Sequence, residues 1–214
     1  MKSSDIAEKF ITVGIDLSNI QAEQFKIYYD EILAWNLRAK LISKKDESRI
    51  VERHFLESSL LSFFEEFQKD AWVLDLGTGG GFPGVPLVIL NRSLHLTLLD
   101  SKRWKTLFLK DLIAKLQIQV EIVYGRAEDV GLQELFFQKF DVTVSRAVTQ
   151  LDNLFKLAIP FLRPKGKLIT LKGSNLINEL DLLNRANANL IVQVKDLPVS
   201  LKESSKLKVV FVQE

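Results

Sequence analysis

The sequence predicts an α/β protein in which an all-helical N-terminal cap precedes a doubly wound, mostly parallel sheet. Residues 4 to 67 have helical apolar spacing and no strand pattern, whereas strand-like and helix-like segments alternate from Trp72 onwards. A glycine-rich loop, Gly77 to Gly81, joins the first strand to a helix. Near the C-terminus, two apolar segments are separated by too few residues for a crossover helix and are expected to form an antiparallel hairpin.

The composition restricts the classes of protein to which this chain can belong. Its 214 residues suit a cap at residues 1–68 followed by one compact domain at residues 69–214, with 47% apolar and 26% charged residues. The absence of cysteine excludes disulfides, thiolate nucleophiles and cysteine metal sites, and the two distant histidines, His54 and His95, predict no metal site. A net charge of +2 does not by itself indicate nucleic-acid binding.

The chain contains no segment that is expected to enter a membrane. No apolar run approaches the ~18 residues of a membrane span, and the first residues lack the apolar core of a signal peptide. We therefore expect a cytoplasmic protein without a membrane partner, and a monomer as its oligomeric state.

Three helices are predicted in the cap. A short apolar stripe that includes Ile6 and Phe10 ends at Gly14. Ser18 is expected to cap a second helix, because its hydroxyl can accept a hydrogen bond from a free backbone N–H at the helix start. A third helix is predicted from about Ser48 to Phe67.

The glycine loop is the strongest indication of a binding site. An apolar strand, Trp72 to Leu76, precedes the loop, and a helix is predicted from Val85 to Leu90. A ligand of a doubly wound sheet binds at such a junction. A phosphate-binding P-loop would end in Lys and Ser or Thr, but here the loop ends in Phe82-Pro-Gly84. The glycines can be aligned with the dinucleotide-binding motif. However, the prolines fit a loop that holds an adenosyl group without a pyrophosphate better. The alternative is a tight turn without a ligand.

An acidic residue follows the second predicted strand, His95 to Leu99. Asp100 lies about twenty residues beyond the first glycine, the spacing at which a carboxylate can reach ribose hydroxyls. A carboxylate accepts hydrogen bonds from both hydroxyls, which favours this role. Asp100 can also cap the next helix, predicted from Arg103 to Leu116, and the two roles are compatible.

Two further strand ends carry polar residues. The third strand, Val120 to Tyr124, is followed by Gly125-Arg-Ala-Glu128, where Glu128 can contact an adenine or cap the next segment. The fourth strand, Phe140 to Ser145, is followed by Arg146. That arginine can bind a carboxylate or phosphate of a ligand, or form a solvated surface pair.

The remaining elements complete a seven-stranded sheet. In chain order we expect a helix at Leu151–Leu162, a turn at Arg163–Gly166, a strand at Lys167–Leu171, a helix at Leu176–Ala188, and strands at Leu190–Val194 and Leu207–Val212. Seven strands with a terminal antiparallel hairpin distinguish the Rossmann-like sheet of class I S-adenosylmethionine-dependent methyltransferases from a dinucleotide dehydrogenase sheet. A methyltransferase is therefore the leading hypothesis.

Several motifs resemble one bacterial family, the 16S ribosomal RNA guanine-N7 methyltransferases called RsmG, or glucose-inhibited division protein B. The most discriminating motif is the loop Asp75-Leu-Gly-Thr-Gly-Gly-Gly-Phe-Pro-Gly-Val-Pro-Leu87. The other matching elements are Leu33-Ala-Trp-Asn36, Arg53-His54, Leu98-Leu-Asp-Ser101, Arg126-Ala-Glu128, Ser145-Arg-Ala147 and Leu171-Lys-Gly173. The sequence departs from the family at Lys40-Leu-Ile42, where Asn-Leu-Thr is usual, and at Glu57-Ser58, where Asp-Ser is usual.

The resemblance implies S-adenosylmethionine as methyl donor, and 16S ribosomal RNA or the small ribosomal subunit as partner. It implies cofactor binding by Gly77, Phe82, Ala127, Glu128 and Arg146. The loop glycine Gly79, and Asp100 on its position and chemistry, are added to this set.

The predicted chemistry needs few catalytic groups. Guanine N7 carries an exposed lone pair, so no general base is assigned, and Arg146 is the expected positioning residue. Phosphates of the RNA are expected to meet cations of the cap and of the segment after the second strand: Arg38, Lys44, Lys45, Arg49, Arg53, Lys102 and Arg103. His54 can be a buried structural residue or a substrate contact. The alternatives are a methyltransferase for a small molecule or protein, and a non-catalytic binding module.

Overall fold

The computed structural model describes residues 1–67, 70–173, 175–186, 190–198 and 207–214. These residues form a seven-stranded sheet in the order β3-β2-β1-β4-β5-β7-β6. Its strands are β1 (Trp72–Leu76), β2 (His95–Asp100), β3 (Glu121–Tyr124), β4 (Phe140–Arg146), β5 (Leu162–Lys172), β6 (Ile191–Asp196) and β7 (Lys208–Gln213). The end of the helix predicted at Leu176–Ala188 and most of the β6–β7 connection lie outside the described residues. Within the described part, no helix combines the length and apolar character that a membrane crossing requires.

Helices cover both faces of the sheet. They are α1 (Ser3–Ile11), α2 (Asn19–Ala39), α3 (Glu57–Ser59), α4 (Gly84–Leu90), α5 (Arg103–Leu116), α6 (Ala127–Val130), α7 (Leu151–Ala158) and α8 (Leu176–Ala186). As predicted, the Ser18 hydroxyl accepts a hydrogen bond from the Gln21 N–H at the start of α2, at 3.3 Å.

The strand order creates the crevice in which doubly wound sheets bind ligands. Strand β1 pairs in parallel with both β2 and β4. Strands β2 and β3 lie on one side of β1 and the later strands lie on the other side, so the order of the strands reverses between β1 and β4. Strand β5 pairs with β7 antiparallel, and β7 pairs with β6 antiparallel, which confirms the predicted terminal hairpin. The carboxyl ends of the five parallel strands therefore meet at one edge of the sheet.

Alternating side chains of each strand build two separate cores. Val73, Leu98 and Val144 face the cap, α4 and α5, whereas Leu74 and Leu99 face α7 and α8. The cap thus shares its apolar core with one face of the sheet. The aromatic rings of Phe25, Tyr28 and Phe55 in the cap and Phe82 in the glycine loop stack within this core.

The helix predicted from about Ser48 to Phe67 differs from the observed structure. This segment is a succession of short helical pieces: a 3-10 turn at Lys44–Arg49, a π-helix at Val51–Leu56, α3, and 3-10 turns at Leu60–Phe63 and Glu65–Phe67. All residues from His54 to Leu61 are buried, so this part of the segment lacks the exposed face that the prediction of an amphipathic helix assumed. π-Helical turns are frequent at functional sites.

The turn predicted at Arg163–Gly166 also differs, because these residues lie within the longer strand β5. Phe140 pairs with Leu162, and Val142 pairs with Lys167. An advance of two residues along β4 therefore corresponds to an advance of five residues along β5. Lys165 takes a left-handed conformation, φ +69°, within this irregularity. The Pro and Gly residues therefore mark a bulge rather than a connection.

Candidate active site

The glycine loop is closed by backbone hydrogen bonds to β2. The N–H groups of Gly77 and Thr78 both donate to the Leu99 carbonyl, at 2.9 and 3.1 Å. Gly77 has φ +73°, and a Cβ at this residue would lie 2.5 Å from Cγ2 of Val148. Glycine is therefore required here by both conformation and space.

Asp75 holds the two ends of the loop together. Its buried Oδ2 accepts hydrogen bonds from the Thr78 hydroxyl and from the Gly84 N–H at the start of α4, both at 2.7 Å. Burial raises the pKa of Asp75 to about 7, against the opposing effect of these two hydrogen bonds. Sequence reasoning gave this residue no role, although a carboxylate inside an apolar strand was the available signal.

Asp100 forms hydrogen bonds at the glycine loop and at the turn into α5, and its contact with ribose hydroxyls stays a prediction. Its Oδ2 accepts a hydrogen bond from the Gly79 N–H at 2.9 Å, and its Oδ1 accepts one from the Lys102 N–H at 2.8 Å, immediately before α5. The Nζ of Lys105 lies 3.9 Å from Oδ2. Asp100 therefore supports the turn into α5 while its carboxylate lines a cavity beside the glycine loop.

This cavity brings four of the predicted cofactor residues together. It has a volume of about 170 Å³ and is lined by Gly77, Asp100, Ala127 and Glu128, among others. A neighbouring cavity of about 530 Å³ also contacts Ala127, Glu128 and Val148. Glu128 lines both cavities, so contact with an adenine stays a prediction. Its alternative role as a helix cap is not observed, because α6 begins at Ala127 and has Arg126 at its N-cap position.

Phe82 lies on the other side of the loop, enclosed by the cap. Its ring stacks on Tyr28 at 5.3 Å and on His54 at 4.8 Å between centroids, and only 6% of Phe82 is exposed. The Tyr28 hydroxyl donates a hydrogen bond to the Gly80 carbonyl at 2.5 Å. The cap therefore fixes the position of the loop through aromatic packing and this hydrogen bond.

Arg146 forms a buried ion pair with the cap, which excludes the solvated surface pair that the sequence left as the alternative to ligand binding. Its Nη2 lies 3.1 Å from Oε2 of Glu57, a residue that is 2% exposed. Burial lowers the pKa of Arg146, and Glu57 opposes this effect. The Nη1 of Arg146 is also buried and makes no hydrogen bond to any described residue. Glu57 is also the position at which the sequence departs from the family's usual aspartate.

His54 is neutral in the folded protein. Burial, and then the positive charge of Arg146, lower its pKa to about 3, although Asp46 at 3.9 Å acts in the opposite direction. Its ring packs flat against Phe82. The sequence left two roles open for His54, a structural residue or a substrate contact. Its burial and packing against Phe82 support the structural role.

The predicted RNA-contacting residues fall into three groups. Arg38, Lys44 and Lys45 are exposed on the cap, and Lys102 and Arg103 are exposed at the start of α5. Arg49 and Arg53 are half-buried instead, and the Nε of Arg53 lies 3.7 Å from Oε1 of Glu57. Arg53 thus belongs to the Arg146–Glu57 cluster, which sequence reasoning did not anticipate.

Two further polar residues support the site, and no role was predicted for either. Asn36 donates to Glu47 at 2.7 Å and accepts from the Ile42 N–H at 3.0 Å, which fixes the chain between α2 and the cap's lysines. Lys172, at the end of β5, contacts Glu179 and the Thr149 carbonyl, both at 2.7 Å. Lys172 therefore holds the segment that follows Arg146. Both residues belong to motifs that the resemblance singled out.

Solved methyltransferases share this architecture. An O-methyltransferase from Bacillus cereus in complex with SAH superposes with a TM-score of 0.64 at 16% identity, covering 98% of this chain and 97% of that chain. A class I S-adenosylmethionine-dependent methyltransferase from Listeria monocytogenes, described as putative, gives 0.63 at 13% identity, covering 89% and 68%. The chain therefore has the Rossmann-like fold of class I methyltransferases.

Sequence comparison identifies the family within this class. A family model described as rRNA small subunit methyltransferase G (GidB) matches residues 21–208. The ribosomal RNA small subunit methyltransferase G of Thermoanaerobacter sp. strain X514 is 35% identical over 91% of this chain and 79% of its own length. That of Lactobacillus acidophilus is 40% identical over 78% and 71%. The chain therefore belongs to the rRNA small subunit methyltransferase G family.

Proposed function

We propose that this protein transfers a methyl group from S-adenosylmethionine to N7 of a guanine in small-subunit ribosomal RNA. The observation that carries the proposal is the cavity at the carboxyl edge of the sheet, where Gly77, Asp100 and Ala127–Glu128 meet in a chain of this family. The names of the curated relatives support ribosomal RNA as the substrate.

The residues around this cavity fit an adenosyl group. Gly77 has no Cβ and permits close approach to the loop backbone, and Asp100 provides a carboxylate for two ribose hydroxyls. Ala127 and Glu128 provide an apolar and a polar contact for the base. When bound, S-adenosylmethionine supplies a methyl group that its sulfonium already activates for in-line attack.

The remaining requirement is orientation of the guanine. N7 is an unprotonated acceptor near neutral pH, so the protein needs no base to activate it. Arg146, held by Glu57 and with Nη1 unpaired among the described residues, is suited to positioning a ligand oxygen or carboxylate. Proximity and orientation can provide most of the acceleration in such a transfer.

Exposed cations on the cap provide a surface for the RNA backbone. Arg38, Lys44 and Lys45 are exposed, and none of them forms an ion pair within the described part of the chain. Contacts between such cations and phosphates position an RNA without selecting its sequence. The target base must be exposed or extruded to reach the cavity.

Mass mapping of methylated guanines in ribosomal RNA, with and without this protein, tests the proposal. We expect one guanine to gain one methyl group, using either free 16S ribosomal RNA or small subunits as substrate. Calorimetry with S-adenosylmethionine provides the second measurement. Cofactor binding without methylation of either RNA substrate would reject the substrate and favour a small-molecule or protein methyltransferase. Absence of cofactor binding would reject both enzymes.

A further inference from the structure

Two large aromatic side chains are exposed at the carboxyl edge of the sheet. Trp104 is 63% exposed and Tyr124 is 61% exposed. Aromatic side chains of this size normally bury most of their surface, because each contributes a large apolar area to a core or an interface. Neither residue has a role in the adenosyl-binding cavity as described above. Their exposure therefore requires another explanation.

The fold places these two residues on the same side of the sheet. Tyr124 is the last residue of β3, an edge strand, and pairs with Asp100 of β2. Ile122 packs into the core on the α5 side, so Tyr124, two residues later, projects towards that side as well. From Asp100 the chain runs directly into α5, whose second residue is Trp104.

A third apolar residue extends this surface along α5. Leu107 follows Trp104 at a spacing of three residues, which places both on one face of the helix, and it is 38% exposed. We call Trp104, Leu107 and Tyr124 the aromatic edge.

Exposed cations lie within two residues of Trp104 and Tyr124 in the chain. Lys102, Arg103 and Arg126 are exposed, and none of them forms an ion pair within the residues that the structure describes. The carboxylate of Asp100 is buried and bound to the Gly79 and Lys102 N–H groups. Glu128 and Asp129 follow in α6 and are exposed, so the positive charge is concentrated on the side of α5.

We propose that the aromatic edge binds a single-stranded segment of RNA by stacking of bases on Trp104 and Tyr124. The inference rests on the proposed function, which provides RNA as the substrate. Single-stranded RNA is recognised by aromatic rings that stack on unpaired bases and by cations that contact the phosphates between them. A protein interface would instead be depleted of charge at its centre and would require a larger apolar area.

The position of this surface relates it to the reaction. Ser101 and Arg126 line the adenosyl-binding cavity and also border the aromatic edge. RNA bound there would therefore flank the cavity, and the cap cations would hold a different part of the same molecule. The aromatic edge is thus expected to position nucleotides next to the target guanine rather than the guanine itself.

Tryptophan fluorescence tests the stacking directly. A single-stranded oligonucleotide from the methylated region of small-subunit ribosomal RNA should quench the fluorescence of the full-length protein, because base stacking quenches an indole. Trp104→Phe should abolish most of the quenching and retain binding. Trp72→Phe is the matched control, because Trp72 is 37% exposed but starts β1 at the opposite edge of the sheet, and it should leave the quenching intact. Equal quenching in wild type and Trp104→Phe would overturn the proposal.

RNA affinity provides the second test. Trp104→Ala and Tyr124→Ala should each weaken RNA binding about fivefold to a hundredfold, whereas the affinity for S-adenosylmethionine should not change. Phe137→Ala, at another aromatic residue that is 54% exposed, should leave both affinities unchanged. An unchanged RNA affinity in the Trp104 and Tyr124 variants would reject the aromatic edge.

The same variants separate this inference from the proposed function. Quenching and binding of RNA without methylation would support the aromatic edge and reject the proposed function. If wild type methylated the RNA and Trp104→Ala had an unchanged KM for RNA, the proposed function would be supported and the aromatic edge would be rejected. A loss of activity on small subunits but not on free RNA would indicate a protein contact and would also overturn the proposal.

Discussion

Arg146 and Glu57 join the sheet to the cap through a buried ion pair, with Nη2 and Oε2 separated by 3.1 Å. Arg146 ends β4, and Glu57 lies where the π-helix of the cap meets α3. The Nε of Arg53 lies 3.7 Å from the second oxygen of Glu57. One buried carboxylate thus pairs with the buried guanidinium group of Arg146 and lies near the partly exposed one of Arg53. Such an arrangement fixes the position of Arg146 at the cost of its desolvation.

Removal of the Glu57 charge should destabilise the protein strongly. Glu57→Gln leaves Arg146 buried without a counter-ion, so we expect a loss of about 3 kcal/mol in the free energy of unfolding. Urea denaturation measures this value. Glu57→Asp, the residue usual in the family, should recover part of the loss because it keeps the charge.

The matched control for this prediction is Glu52→Gln. Glu52 pairs with Lys9, but the two side chains are 33% and 39% exposed, so the loss should stay below about 1 kcal/mol. If Glu57→Gln cost no more than Glu52→Gln, the buried pair would not contribute to stability.

Asp100→Ala should weaken the binding of S-adenosylmethionine without unfolding the protein. The substitution removes the proposed ribose acceptor and also releases the Gly79 N–H from Oδ2. Each lost hydrogen bond to a charged group corresponds to about 1.5–3 kcal/mol, so the Kd should rise at least tenfold. Calorimetry measures the Kd, and circular dichroism checks the fold. Asp129→Ala, an exposed carboxylate in α6, is the control. A Kd equal to that of wild type would remove Asp100 from the site.

Local sequence patterns were sufficient for the sheet and for the cavity residues. The bounds of β1 match the prediction, because a short apolar run between polar residues and glycines determines a buried strand locally. Asp100, Ala127 and Glu128 meet in one cavity because each follows a parallel strand, and the carboxyl ends of parallel strands lie together.

The cap and its contacts could not be predicted in the same way. Glu57 and Arg146 are far apart in sequence, so neither position indicates its partner. The segment that was predicted as one helix from about Ser48 to Phe67 is buried throughout His54–Leu61. Apolar periodicity cannot register such burial, because it assumes one exposed face. Asp75 was overlooked for a related reason, since its partners Thr78 and Gly84 meet only after the loop closes.

Asp75→Asn should change how stability depends on pH. The pKa of Asp75 is about 7 in the folded protein, against an ordinary value of 3.8, so the folded state holds a proton that the unfolded state releases between these values. This group therefore stabilises the fold fully below pH 4, and its contribution is lost as the pH rises to about 7, by up to 1.4 kcal/mol per pH unit. Asn keeps an oxygen for Thr78 and Gly84 but does not titrate.

Chemical denaturation of both proteins between pH 4 and pH 8 measures the difference. The free energy of unfolding of wild type minus that of Asp75→Asn should fall with rising pH and become constant above about pH 7. A difference that does not vary with pH would show that Asp75 is already ionised when the protein folds.

His54→Phe should produce the opposite dependence. The pKa of His54 is about 3 in the folded protein, against an ordinary value of 6.5, so below pH 6.5 the unfolded state takes up a proton and the folded state does not. Wild type therefore loses stability from this group as the pH falls from 6.5 towards 3, and His54→Phe should not. The phenyl ring can keep the stack on Phe82. Denaturation at pH 5 and pH 8 tests this, with pH 8 as the internal control because the imidazole is neutral in both states. An equal difference at both pH values would contradict the prediction.

Neutralising the exposed cap lysines should reduce the salt dependence of RNA binding. Lys44 and Lys45 are exposed in the 3-10 turn after α2, whereas Arg49 is half-buried and is left unchanged. Each lost phosphate contact lowers the slope of log K against log salt by about 0.7 for single-stranded RNA, so Lys44→Gln with Lys45→Gln should lower it by about 1.4. Lys165→Gln with Lys195→Gln removes the same charge from exposed residues in β5 and β6, and it should leave the slope unchanged. Fluorescence anisotropy over a salt series measures all three proteins. If both double variants lowered the slope equally, net charge alone would explain the effect and the cap would have no specific part in holding RNA.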